Sequence, residues 1–192
     1  MQTHDLHVLP SDIPAPVDDG AAAHLPGSLL PSLSLAATDG SQVDLSAVPG
    51  RIVVFAYPRT GQPGQEPLAP DWDMIPGARG CTLQTCGFRD LAREFAALGC
   101  RVFGLSTQEP AYQREMAQRL HLPFPVLSDA DHTFSTALRL PTLEVAGHVL
   151  LKRLSWYAVD GQIEHVSYPV FPPDQSAEVM LGWIREHGQT KS

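Results

Sequence analysis

Cysteine is scarce in this chain: Cys81, Cys86 and Cys100 are the only three thiols among 192 residues. An odd count does not make a disulfide scaffold, and Met1 to Asp19 has no basic start followed by an apolar stretch. Together these lead to the expectation of a reducing compartment, the cytoplasm. Long hydrophobic runs are missing as well, since no uncharged apolar stretch approaches the ~20 residues that cross a bilayer. Positive charge is in short supply: 13 Lys and Arg against 21 Asp and Glu leave a formal charge of −8. A surface of that sign repels phosphate backbones, so nucleic acid is not an expected partner. What the chain has in quantity is proline and glycine, 18 and 15 residues. Its apolar fraction is 43%, enough for one ordinary core, because a chain of this size hides roughly 70% of its unfolded surface.

Five prolines between Pro10 and Pro31, with only scattered apolar residues, mark 1–32 as an extended N-terminal leader. Leu33, Leu35, Val43 and Leu45 flank the turn sequence Thr38-Asp39-Gly40-Ser41 and predict an N-terminal hairpin. Ile52 to Tyr57 is an unbroken apolar run stopped by Pro58, as suits a central strand covered on both faces. A Pro/Gly-rich loop follows over about 59–78; loops of that length are often functional. Phe88, Leu91, Phe95 and Leu98 then recur at helical spacing as one helix before Gly99. A strand at Arg101–Ser106, a helix at about Glu109–Leu120, a short strand at Phe124–Leu127 and a short helix at His132–Leu138 continue the alternation. A strand from about Leu150 to Val159 turns at Asp160-Gly161 into a second, Gln162–Tyr168, before a final helix that ends near Glu186. This order predicts an α/β fold, a mixed central β-sheet flanked by helices, spanning 33–188.

The chemistry sits at Gly80-Cys81-Thr82-Leu83-Gln84-Thr85-Cys86. Cys81 enters a helix from a glycine-rich loop, where free N–H groups and the positive end of the helix dipole favour a thiolate. Arg79 is close enough in sequence to add positive potential. At 100° per residue Cys81 falls about 20° from Phe88 on the apolar stripe, and Cys86 about 140° from Cys81, so the thiols point apart. Five helical residues rise about 7.5 Å, beyond the roughly 7 Å that bridged cysteines allow. If the two ever bridge, the first turn must unwind. The pair alone is a weak signal, since free cysteine is commonly a small buried hydrophobe. A zinc site would need two more ligands, and His132, His148 and His165 have no tight spacing. Cys100 reads as core filler.

Gly-Cys-Thr-Leu-Gln-Thr-Cys-Gly-Phe-Arg-Asp at 80–90 resembles the active-site segment of the PrxQ, or bacterioferritin-comigratory-protein, branch of the peroxiredoxins. The likeness runs from about Leu33 to Ile184, through the opening hairpin, Ile52 to Pro58, Leu98 to Thr107, and Leu122-Pro123-Phe124-Pro125-Val126-Leu127-Ser128-Asp129. The resemblance implies a thioredoxin-like fold and a thiol peroxidase for hydrogen peroxide or alkyl hydroperoxides. Cys81 would be the peroxidatic cysteine. Cys86 would be its resolving partner in an intramolecular disulfide, reduced by thioredoxin or a similar dithiol. It implies no metal, haem or flavin cofactor, and a monomer or weak homodimer. A strand-borne arginine should face the thiolate; Arg153 fits best, with Lys152 competing. The family's proline seven positions before the cysteine and its threonine three before are Met74 and Ala78 here, while Pro58 lies 23 positions upstream. The 59–78 loop is therefore read as an insertion. Pro58 would keep the family proline's place, and Thr60 could return the missing hydroxyl. The competing reading is a thioredoxin-like dithiol oxidoreductase or redox sensor without efficient turnover. In it, Leu140-Pro141-Thr142 would imitate a proline-bearing active-site strand, but the absence of Cys-x₂-Cys makes Pro141 a loop proline.

Overall fold

The computed structural model describes residue 6 and residues 8–188. Seven strands form one mixed sheet in the order β2-β1-β5-β4-β3-β8-β9. They are β1 (Ser34–Ala37), β2 (Gln42–Asp44), β3 (Arg51–Ala56), β4 (Cys100–Ser106), β5 (Val126–Ser128), β8 (Leu154–Val159) and β9 (Gln162–Ser167). β3, β4 and β5 run parallel, while β8 lies antiparallel to β3 and β1 antiparallel to β5. The predicted mixed sheet and opening hairpin are both present.

β3 shows why its sequence carries no alternation. Ile52, Val54 and Ala56 join a core on one face, with Leu105, Phe134 and Trp156. Val53, Phe55 and the following Tyr57 join a second core on the other face, with Phe88, Phe95, Met116 and Ile184. A strand buried on both faces needs apolar residues at every position. The second face is covered by α1 (Cys81–Asp90), α2 (Ala92–Ala97), α3 (Pro110–Arg119) and α5 (Ser176–His187); α4 (Thr133–Leu138) packs on the first. The leader shares that first core. Ala22, Leu25 and Leu30 are buried in it, and Leu30 N–H donates to Gly161 O at 2.8 Å while Ile163 N–H donates to Ser28 O at 2.9 Å.

Two elements differ from the sequence reading. The single helix through Phe88 and Leu98 is two, because Leu91 leaves helical geometry at φ −99°, ψ 12°. Both pieces keep their apolar residues on one stripe, so periodicity could not register a one-residue departure. The long strand from Leu150 is also two. Thr142–Val145 (β6) and His148–Leu151 (β7) form a separate hairpin around Ala146-Gly147, both at positive φ, and Lys152-Arg153 break the chain before β8. Leu151 and Leu154 flank this break and enter the same core, so apolar content on both sides gives no sign of it in the sequence. Among the described residues no helix is long and apolar enough to cross a membrane.

Candidate active site

Gly80 places the site. It precedes α1 with φ +96°, and a Cβ there would stand 2.3 Å from Pro173 Cγ, so glycine is required by conformation and by space. Cys81 is the first residue of α1 and is buried, 3% exposed. Its Sγ–H points at Ala78 O, 3.4 Å away, and Arg153 Nη2 donates to the same sulfur at 3.2 Å. Of the two basic candidates, Arg153 reaches the thiol. Lys152 turns outward to Asp19, Nζ to Oδ2 2.6 Å.

Arg153 is held rigidly. Nη1 donates to Gln84 Oε1 at 2.5 Å, and Nη2 also reaches the carbonyls of Gly77, Ala78 and Arg79 at 3.1, 3.3 and 2.9 Å. Gln84 is itself fixed by donating from Nε2 to Ser176 Oγ at 3.2 Å. Arg153 is 3% exposed, and its Nε finds no acceptor among the described residues. A buried cation that touches a thiol through Nη2 and keeps an unbonded Nε–H has donor capacity left for an oxygen.

Cys86 lies on the same helix, buried, and both thiols are free. Burial pushes the Cys86 thiol above its usual range, with the Arg89 charge opposing. It is therefore protonated and sheltered while α1 is intact. Cys100 starts β4 in the core, its thiol pushed up to about 11 by burial. Arg79 is engaged with Asp73 at 3.5 Å and with Val8 O at 3.3 Å.

Pro58 follows β3 and lines a cavity together with Arg153. Thr60 does not return the missing hydroxyl to the sulfur. Its Oγ1 donates to Gln108 Oε1 at 3.1 Å, its N–H to the same oxygen at 2.9 Å, and Gln108 Nε2 answers to Thr60 O at 3.2 Å. The reason is the long loop after Pro58, which carries Thr60 against the Gln108 turn. That loop makes a small core of its own, Ala69, Trp72 and Ala78 against Val145 and Leu150 of the β6–β7 hairpin. Tyr57 is buried beside the site; desolvation and the nearby Cys81 charge both raise its phenol well above the ordinary value. Sequence reasoning missed Gln84. Its signal was available, since a residue three after Cys81 shares its helix face.

An arginine just before β8, bonded to a buried thiol at a helix start beside this sheet, defines a cysteine-based oxidoreductase of thioredoxin-like fold. The chain matches the Redoxin family over residues 25–181. It is 31% identical to peroxiredoxin Bcp of Escherichia coli over 166 residues, 84% of this chain and 96% of that one. It is also 31% identical to the chloroplastic peroxiredoxin Q of Gentiana triflora, over 92% of this chain and 76% of that one. Among solved structures, BcpB of Mycobacterium tuberculosis superposes with a TM-score of 0.67 at 25% identity, covering 87% of this chain and 98% of that one. The chain belongs to the redoxin family, in the Bcp/PrxQ branch of the peroxiredoxins, and is a thiol-dependent peroxidase.

Proposed function

We propose that Cys81 is the thiol that meets peroxide and Cys86 the thiol that resolves it. The observation that carries this reading is the 3.2 Å contact from Arg153 Nη2 to Cys81 Sγ, both side chains buried, at the start of α1. The Cys81 thiolate attacks one oxygen of ROOH along the O–O axis. The S–O bond forms, the O–O bond breaks, and RO⁻ leaves and takes a proton to become ROH. Sulfur becomes sulfenic acid. Charge moves from sulfur to the departing oxygen, and a guanidinium already in place stabilises both ends without reorganising.

Resolution follows by attack of the Cys86 thiolate on the sulfenic sulfur, with water leaving and a disulfide forming. Two cysteines five positions apart on an intact helix sit about 7.5 Å apart along its axis, so this step opens the first turns of α1. A dithiol reductant of the thioredoxin kind then attacks the disulfide and returns both thiols. The substrates are hydrogen peroxide and small organic hydroperoxides.

Single-turnover peroxide loss tests the assignment. Wild type consumes one equivalent rapidly, and mass spectrometry then finds Cys81 linked to Cys86. Cys81→Ser abolishes consumption, and Cys86→Ser reacts once and stops as sulfenic acid without thioredoxin-driven cycling. Undiminished cycling of Cys86→Ser would remove Cys86 from the mechanism. Slow oxidation without turnover in wild type would favour a redox sensor.

A further inference from the structure

The leader does more than fill the core. Pro16 lies beside Gly77, where an added Cβ would find Pro16 Cβ 3.7 Å away, and Leu9 Cδ1 would be 3.2 Å from a Cβ at Gly80. Both glycines belong to the loop that delivers Cys81. Pro16 and Val17 also form one side of a cavity of about 100 Å³ whose other apolar walls include Pro58, Leu143 and Pro169 and whose polar end is Arg153. Ile13 and Pro14 continue along the same face, against Ile75 and Phe171. These leader residues precede the segment matched to the family, which starts at residue 25.

The segment is latched at its C-terminal end. Asp19 accepts from Lys152 Nζ through Oδ2 at 2.6 Å and from Tyr168 Oη through Oδ1 at 2.7 Å. Lys152 and Tyr168 both line the cavity. The pocket thus combines Arg153, whose Nη2 reaches the Cys81 sulfur, with an apolar side supplied by the leader, and a strap holding that side in place.

We propose that residues 13–19 are a substrate-selecting wall of the peroxide entrance, favouring hydroperoxides with a compact apolar carbon substituent over hydrogen peroxide. This rests on the assignment of Cys81 as the reacting thiol. The hydroperoxide end meets Arg153 and the Cys81 sulfur, and the alkyl group lies against Pro16 and Val17. Hydrogen peroxide has no group to place there.

The test compares rate constants for Cys81 oxidation by tert-butyl hydroperoxide and by hydrogen peroxide, in full-length protein, by stopped-flow tryptophan fluorescence. Two variants address the wall separately: Pro16→Ser with Val17→Ser to remove its apolar surface, and Asp19→Ala to release the latch from an exposed position. Losing apolar contact with a group this small lowers the alkyl-to-hydrogen-peroxide ratio on the order of five- to tenfold in each variant. A ratio equal to wild type in both overturns the proposal, including when both rates fall together, which would make the leader a support for the fold alone. Wild-type protein inert to both peroxides would instead refute the assignment of Cys81.

Discussion

Arg153 Nη2 carries two protons and faces four acceptors within 3.3 Å: three carbonyls and the Cys81 sulfur. The carbonyls take most of those protons while Cys81 is a neutral thiol, whose sulfur is a weak acceptor. A thiolate competes far better, because charge-assisted bonds are about twice as strong, so deprotonation of Cys81 strengthens the contact already made at 3.2 Å. Arg153→Ala should lower the rate constant for peroxide by about 10²–10³, the usual loss on removing a preorganised donor. Arg153→Lys should fall between, keeping charge but losing the fork that also grips Gln84. Gln84 supports this geometry through one acceptor oxygen. Gln84→Leu therefore lowers the rate on the order of tenfold or more by freeing the guanidinium, while Gln84→Glu, with an oxygen in the same place, keeps most of it. Stopped-flow oxidation kinetics of the four variants separate charge from position.

The first helix has to be both firm and able to open. Firmness comes from its C-terminal half: Phe88 stacks on Phe55 with centroids 4.3 Å apart and planes within 6°, and on Phe95 at 5.6 Å. Phe88→Ala should cost about 3–5 kcal/mol in denaturant unfolding, the usual price of an emptied aromatic site. The N-terminal half is held by polar contacts that run through the Cys81 sulfur and Gln84 to Arg153 and Ser176, so a change at the sulfur loosens them. Its cap is a glycine with no side-chain hydrogen bond, and Thr85 Oγ1 bonds back to Cys81 O at 2.9 Å instead of to another element. Oxidation should therefore raise amide exchange at Thr82–Gly87 and leave Phe88 onward protected. Equal exchange in reduced and oxidised protein would contradict an opening step. Gly80→Ala should slow peroxide reaction and lower stability together, because it forces an unfavourable φ and a clash with Pro173 at the same point.

At the scale of the molecule, two-sided burial of the sheet leaves a titration signature. Cys100 sits at the start of β4, where burial raises its thiol from the ordinary 9.0 to about 11, against the opposing Arg51 charge. The folded state holds this proton more tightly than the unfolded chain does. The corresponding stability is fully present below pH 9 and is lost as pH rises through about 11. Denaturation midpoints should fall across that window, and less steeply in Cys100→Ala. His165 supplies the opposite limb: burial, then the neighbouring His187, lowers its value beneath 6.5. Its share of stability is present above pH 6.5 and declines as pH falls through the lowered folded value.

The amino-acid order by itself determined the layers and the chemical centre. Ile52 to Tyr57 had to be a two-faced strand, Thr38-Asp39-Gly40-Ser41 had to turn, and a glycine before Cys81 had to open a helix on a thiol, since each follows from local sterics and apolar period. Arg153 could be nominated only through the family resemblance, and nothing local distinguished its reach from that of Lys152; the break between β7 and β8 turns one inward and the other toward Asp19. The same holds for Thr60, drawn to Gln108 by a loop whose path depends on a small core built around Trp72. The leader had no periodicity to betray its destination. Its place beside Gly77 and Arg153 comes from contacts across more than fifty residues of chain, and such contacts are decided only when the whole surface closes on itself.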